Sequence, residues 1–142
     1  MLKRLPLMFG VVIAAALCAS AQKQTVTAAQ ANGIYRDHGS EFRILALGQN
    51  KLKVRFEGQY MTRAGYPNMG YAMGEATIDG NIASFVPPDT HGCEIVQVFL
   101  KNKLKVMQSG SDSDCGFGHN VLATGTYRKV KSGKPKFESF PQ

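Results

Sequence analysis

The chain has 142 residues and a formal charge of +7, from 17 lysines and arginines against 10 aspartates and glutamates. This length is enough for one small domain. The positive charge allows weak attraction to the anionic polymers of a cell envelope, although solubility is the simpler explanation, and it does not indicate specific nucleic-acid binding.

The N-terminus has the three parts of a secretory signal peptide. Residues 1–4 supply positive charge, residues 5–17 form an apolar run, and Ala19-Ser20-Ala21 offers small residues for cleavage. The run is shorter than the roughly 20 residues that a membrane-spanning helix needs. These features predict a signal peptide over residues 1–21, a mature chain that begins near Gln22, and a periplasmic or secreted bacterial protein that does not span a membrane.

The three cysteines allow two interpretations of the exported form. Cys18 lies where a lipoprotein keeps its acylated cysteine, but Leu17 precedes it where such signals carry Gly, Ala or Ser, so cleavage after residue 21 is favoured. Cys93 and Cys115 then remain, and a cysteine pair in an oxidising compartment predicts one disulfide. Two free thiols or a metal pair would suit a cytosolic protein better.

Short β-prone runs separated by Gly, Asn, Asp and Pro follow one another from residue 33 to residue 130, without a sustained helical period. The pattern predicts an all-β domain, a single small antiparallel barrel or sandwich of about eight strands over residues 33–130, with a flexible leader at 22–32 and a flexible tail at 131–142. The predicted strands are Gly33–Asp37, the two arms of a hairpin over Glu41–Glu57, Tyr71–Ile78, Asn81–Val86, Cys93–Leu100, Lys103–Ser109 and Asn120–Val130.

The first hairpin has a predicted register. A three-residue turn at 48–50 places three apolar pairs on one face and the basic residues on the other: Phe42/Phe56, Ile44/Val54 and Ala46/Leu52. Asp79-Gly80 predicts a type I′ turn for the second hairpin. The third hairpin turns at Lys101-Asn102, and its exact register stays open; a three-residue turn would place Cys93 opposite Ser109.

Two short sequences recur. Asn-Lys-Leu-Lys-Val occupies residues 50–54 and 102–106, and Gly33-Ile34-Tyr35-Arg36 is echoed by Gly125-Thr126-Tyr127-Arg128. The recurrence is compatible with duplication, or with two hairpins that solve the same turn problem.

The Gly-rich stretch at 108–119 holds Asp112-Ser113-Asp114, which resembles the opening of a calcium loop, but no Glu closes the pattern. Short acidic side chains that cap turns are the alternative. His38, His91 and His119 are scattered, and a zinc site needs three or four convergent ligands. The sequence therefore predicts no metal and no cofactor.

No Gly-x-Ser-x-Gly elbow is present, and the sequence predicts a protein that is not an enzyme. Residues 59–70 are predicted to form a long loop that combines aromatic, Met and Arg side chains, the composition of recognition surfaces. The candidate binding residues are Tyr60, Arg63, Tyr66, Asn68 and Met69. The alternative is a loop that covers one barrel mouth.

The signal peptide, the size, the three hairpins and the Cys93/Cys115 pair resemble small exported lipocalin-like barrels, including the eight-stranded periplasmic lysozyme inhibitors. Gly33-Ile34-Tyr35 stands where lipocalins carry Gly-x-Trp, and the chain has no Trp. The resemblance implies an exported, non-catalytic binding protein with a small ligand or protein partner at a barrel mouth or on the loops. An inhibitor of an envelope or host enzyme and a small hydrolase are the alternatives.

Overall fold

The computed structural model describes residues 23–138 as a closed antiparallel barrel in which each strand pairs with the next and β8 pairs with β1. The predicted signal peptide and residues 139–142 lie outside the described residues. One turn of helix, α1 (Ala28–Ala31), precedes the barrel. The strands are β1 (Gly33–Asp37), β2 (Ser40–Gly48), β3 (Lys51–Met61), β4 (Pro67–Asp79), β5 (Ile82–Phe85), β6 (Glu94–Leu100), β7 (Lys103–Ser109) and β8 (Gly125–Ser132).

The predicted fold class and the Cys93–Cys115 disulfide are confirmed. All three predicted pairs of the first hairpin are also confirmed, and Phe42, Ile44, Val54 and Phe56 are fully buried. Alternation places these side chains in the interior, since successive strand residues point to opposite faces.

The Asn-Lys-Leu-Lys-Val repeat has a local cause. Asn50 and Asn102 both adopt a positive φ, 59° and 57°, at the turns before β3 and β7. Asn tolerates this left-handed conformation better than most residues. The carbonyl of Asn50 accepts from the N–H of Ile78, and that of Asn102 accepts from the N–H of Lys129. The repeated sequence therefore reflects two hairpin turns that each place Asn at a position of positive φ.

Two predicted turns, those of the first and second hairpins, were wrong in detail. Gly48 pairs with Lys51 after a bulge in β2, so the β2–β3 turn contains residues 49–50 rather than 48–50. The β4–β5 turn uses Gly80 and Asn81, and of these two only Gly80 has positive φ, which is typical of type II′ rather than type I′. The predicted turn at Lys101-Asn102 is confirmed for β6 and β7, and it places Glu94 opposite Ser109. The sequence left this register open because Cys93–Leu100 is apolar on both faces apart from Glu94 and Gln97.

Two further expectations differ from the structure. The last strand begins at Gly125, not at Asn120, and extends to Ser132. The predicted loop at 59–70 is a β-hairpin, since Met61 pairs with Pro67 and Gly58 with Gly70. Its polar and glycine content resembled a loop, but the long ladder between β3 and β4 keeps it extended.

The barrel has two different ends. At the end that we call the plug end lie the turns at 49–50, 80–81 and 101–102, and residues 23–32 cross its mouth. At the other, the loop end, lie the turn at 38–39, the tip of the β3–β4 hairpin and the long connections at 86–93 and 110–124. Long connections are therefore confined to the loop end.

The leader and the tail contact the barrel in ways that the sequence does not predict. Thr27 caps α1 and forms a capping box with Gln30, and Ala31 is buried in the core. At the other terminus, Arg43 donates to the carbonyl of Lys136 at 2.7 Å and the ammonium of Lys53 lies over the Phe137 ring. Among residues 23–138, no helix has the length and apolar character needed to cross a membrane.

Candidate functional site

The barrel interior is filled by side chains. Phe42 packs against Phe56, with ring centroids 4.8 Å apart, and meets Tyr127 edge-on at 4.9 Å. The largest fully buried side chains also include Tyr35, Phe85 and Phe99. An eight-stranded barrel is just wide enough for such filling. The interior is thus a packed core, and candidate sites lie at the ends and on the wall.

Two buried tyrosines hold the segments that close the ends. The Tyr35 hydroxyl donates to the carbonyl of Ala31 at 2.8 Å, and the Tyr127 hydroxyl donates to that of Ala123 at 2.9 Å. Burial raises the pKa of both phenols, which keeps them protonated donors. The Gly-x-Tyr-Arg repeat therefore marks two equivalent hydrogen bonds from a buried tyrosine to an end segment, one at each end of the barrel. We call these the tyrosine ties.

The similarity between the two segments extends to the residue before each glycine, Asn32 before Gly33 and Thr124 before Gly125. Asn32 Oδ1 accepts from the N–H of Ala46 on β2 at 2.6 Å, and Thr124 Oγ1 accepts from the N–H of Gln108 on β7 at 3.0 Å. β1 lies beside β2 and β8 lies beside β7, so the two ties are arranged alike about the β1–β8 pair.

The loop-end connection at 110–124 is rigidly held. The Cys93–Cys115 disulfide joins it to the start of β6. Asp112 accepts from the backbone N–H groups of Asn120 and Ser113, and Asp114 accepts from the N–H and hydroxyl of Ser111. These contacts bear out the interpretation of turn-capping carboxylates.

The same hydrogen bonds change the acidity of the two carboxyl groups. The backbone N–H of Asn120, followed by that of Ser113, lowers the pKa of Asp112. The backbone N–H of Ser111, followed by its hydroxyl, lowers the pKa of Asp114. Both groups are therefore reliably ionised at neutral pH.

A pair of glycines lets this connection enter the barrel mouth. Gly58 and Gly70 are directly paired on β3 and β4. A Cβ on Gly70 would lie 2.6 Å from Val121 Cγ1 and 2.9 Å from Phe117 Cγ, both too close. Because Gly70 has no side chain, Val121 and Phe117 can pack directly against its backbone.

The predicted binding residues lie on the β3–β4 hairpin. β2 pairs with β3 only as far as Glu57, so residues 58–61 and 67–70 extend past it and pair with each other. The tip is closed by Thr62, whose N–H and hydroxyl both donate to the carbonyl of Tyr66. Four residues of strand correspond to roughly 13 Å of projection.

The structure brings the five predicted residues to one hairpin but not to one face. Tyr60 pairs with Asn68, whose amide donates to the carbonyl of His119 at 2.8 Å and so supports the hairpin. Met69 lies on the outer face, diagonal to Met61, and both are more than half exposed. Arg63 and Tyr66 lie at the tip, with Tyr66 75% exposed. Met61 was not among the five predicted binding residues. The pairing of β3 with β4 is what places it on the same face as Met69.

The three histidines all lie at the loop end without forming a ligand set. His38 Nδ1 lies 2.5 Å from Asp37 Oδ1, and His119 Nδ1 lies 3.6 Å from Asp112 Oδ2. Within residues 23–138, no group of three or more His, Cys, Asp or Glu side chains is arranged to hold a metal ion. The arrangement instead places two of the three histidines beside aspartate side chains.

Charge is separated along the barrel axis. At the loop end, residues 37–39, 57–71, 86–93 and 110–122 carry five carboxylates against one arginine, a formal charge of −4 with the histidines neutral. At the plug end, residues 23–33, 47–53, 79–82, 99–104 and 128–132 carry eight lysines and arginines against one aspartate, a formal charge of +7. The loop end is therefore acidic even though the net charge of the chain is positive.

A cavity of about 360 Å³ opens at the plug end between residues 24–30 and the β6–β7 turn. Lys101 and Lys129 line it. The Lys129 ammonium donates to the carbonyl of Gln30 and lies 5.1 Å from the centroid of the Tyr35 ring. Burial lowers the pKa of Lys129.

No protein-family model, no curated protein and no solved structure matches the chain. Its function is therefore argued from its own geometry.

Proposed function

We propose that the protein is an exported, non-catalytic binding protein whose partner docks on the loop end. The filled interior supports a surface site, because the large aromatic side chains occupy the space that an enclosed ligand would need. The tied connections at both ends support it further, since they close the mouths of the barrel.

The β3–β4 hairpin is the centre of the proposed contact surface. It projects beyond β2 and combines Tyr66 and Arg63 at its tip with Met61 and Met69 on its outer face. Tyr and Arg are enriched among the residues that dominate binding energy, and Met adapts to varied partners. Burial of these side chains against a partner is favourable because they are exposed in the free protein.

Charge supports a basic protein as the partner. The carboxylates around the hairpin, Asp37, Asp89, Asp112 and Asp114 among them, outnumber the single arginine. An acidic rim around an apolar contact speeds encounter with a basic surface and disfavours acidic proteins.

An enzyme inhibitor is the second candidate function. A narrow, hydrogen-bonded hairpin with Tyr66 three-quarters exposed at its tip has a shape suited to insertion into a cleft. In this version the partner is an envelope or host enzyme, and binding blocks substrate access.

The test places a photo-crosslinking phenylalanine analogue at Tyr66 in the exported protein, with the same analogue at Ile82 on the plug end as the matched control. We expect a discrete adduct from position 66 only, and the captured protein is then identified by mass spectrometry. Titration of the purified partner should show at least a tenfold loss of affinity for R63A/Y66A, with the melting temperature unchanged.

Equal capture at both positions would contradict the proposed surface. A large drop in the melting temperature of R63A/Y66A would show that the tip is part of the fold. Inhibition of the identified partner's activity would favour the second candidate over simple binding.

A further inference from the structure

Each of the three turns at the plug end carries one exposed aliphatic side chain. Leu47 lies one residue before the end of β2 and the turn at 49–50, Ile82 follows the turn at 80–81, and Leu100 precedes the turn at 101–102. These side chains are 44 to 50% exposed. Three different hairpins therefore present an apolar residue toward the same side of the molecule.

Eight of the 17 lysines and arginines of the chain lie at the same end. Lys51, Lys101 and Lys103 flank two of the three turns, and all three are exposed. Lys101 also borders the 360 Å³ cavity with Lys129, and none of the described residues that line this cavity carries a carboxylate. The plug end thus combines positive charge with exposed aliphatic side chains.

We propose that the plug end binds the surface of an anionic phospholipid bilayer. Lysines attract the negative headgroups, and the aliphatic side chains enter the boundary between headgroups and acyl chains. The cavity beside Lys101 and Lys129 has room for a headgroup phosphate. A soluble polyanion would use the lysines but would leave Leu47, Ile82 and Leu100 in water, so the combination favours a membrane.

The course of the chain fits this orientation. Lys23, next to the predicted start of the mature chain, pairs with Asp79 at the plug end. The chain therefore enters the barrel from the side that we assign to the membrane. The loop end then points away from the bilayer, although the membrane proposal rests on different residues from the proposed function.

The first experiment is vesicle flotation with the exported protein, comparing phosphatidylglycerol/phosphatidylcholine vesicles with pure phosphatidylcholine. We expect binding to the anionic vesicles only, weakened by salt. Removal of two lysines in K101Q/K103Q should weaken it by about 30-fold, since one lysine near an anionic surface contributes about fivefold. K105Q/K136Q removes the same charge from the barrel wall and should have a much smaller effect.

The second experiment reports insertion. Because the chain has no tryptophan, Leu100→Trp introduces a single fluorophore at the plug end, and Leu122→Trp introduces one at an exposed position of the loop end. We expect a blue shift on anionic vesicles for L100W and no shift for L122W. Both sites are exposed, so neither change disturbs the core.

Three results would overturn the proposal. One is equal binding to both vesicle types, and another is equal loss of binding in the two double-lysine variants. The third is the absence of a blue shift in L100W together with equally tight, lysine-dependent binding to soluble polyphosphate, which would assign the plug end to a polyanion.

Discussion

At the scale of single residues, the two tyrosine ties show how a side chain can hold a segment that has little secondary structure. Tyr35 and Tyr127 each bury a ring in the core and place a hydroxyl against a carbonyl four residues earlier. A buried carbonyl without a donor is costly, so the hydroxyl and the end segment stabilise each other.

Tyr35→Phe and Tyr127→Phe should each lower the free energy of unfolding by about 1–2 kcal/mol, because each leaves a buried carbonyl without its hydroxyl donor. Urea denaturation measures the change. Tyr66→Phe is the matched control and should have no effect, since its ring is largely exposed. Equal stability of all three variants would contradict the role assigned to the ties.

Gln97 is a second residue-scale feature. Its side chain is fully buried on β6, and neither amide atom has a hydrogen-bond partner within the described part of the chain. Gln97→Leu should raise the free energy of unfolding by about 1–3 kcal/mol, the penalty that an unsatisfied buried polar group carries. A less stable Q97L would instead indicate that the amide binds an internal water.

At the scale of elements, the 110–124 connection behaves as part of the core rather than as a surface loop. It is held by the disulfide, by two capping carboxylates and by the space above the Gly58–Gly70 pair. Loops usually tolerate change, but this one fills a barrel mouth.

Gly70→Ala should destabilise the protein by about 1–3 kcal/mol, because the new methyl group collides with Val121 and Phe117. The effect should shrink in a V121A background, where the nearest clashing methyl is gone, and a double-mutant cycle measures the coupling. Additive effects would mean that Gly70 matters for another reason.

Acid should loosen the same connection. Folding lowers the pKa values of Asp112 and Asp114, so their stabilisation is complete above the unfolded pKa of about 3.9 and is lost as pH falls through the lower folded values. The protection factors for hydrogen exchange at the N–H groups of Ser111, Ser113 and Asn120 should fall below about pH 4. D112N should exchange faster at neutral pH and lose part of the pH dependence, and an unchanged D112N profile would contradict the assignment.

At the scale of the whole molecule, the dominant feature is polarity along the barrel axis. One end carries the tight turns, the lysines and the exposed aliphatic residues, and the other carries the long connections, the carboxylates and the projecting hairpin. Such a distribution orients a protein in the field of a charged surface. The two proposals assign the two ends to different contacts.

Export is a prediction at this scale. The mature protein should begin at or near Gln22, because Ala19-Ser20-Ala21 fits signal-peptide cleavage and Leu17 fits a lipoprotein signal poorly. Intact-mass analysis of the exported form measures it. A diacylglyceryl mass on Cys18 would contradict this prediction.

The sequence by itself determined most of the strand pattern, the register of the first hairpin and the disulfide pairing. These depend on local alternation, on turn residues such as Asn50, and on the presence of only two cysteines after the predicted cleavage site. Only the tertiary structure decided that the interior is filled, that the ends are tied by Tyr35 and Tyr127, and that residues 59–70 form a hairpin. It also separated the charges, since closure of the barrel brings distant turns such as those at Lys51 and Lys101 to one end. The sequence gives the net charge of the chain, but only the folded structure shows where the charged residues lie relative to one another.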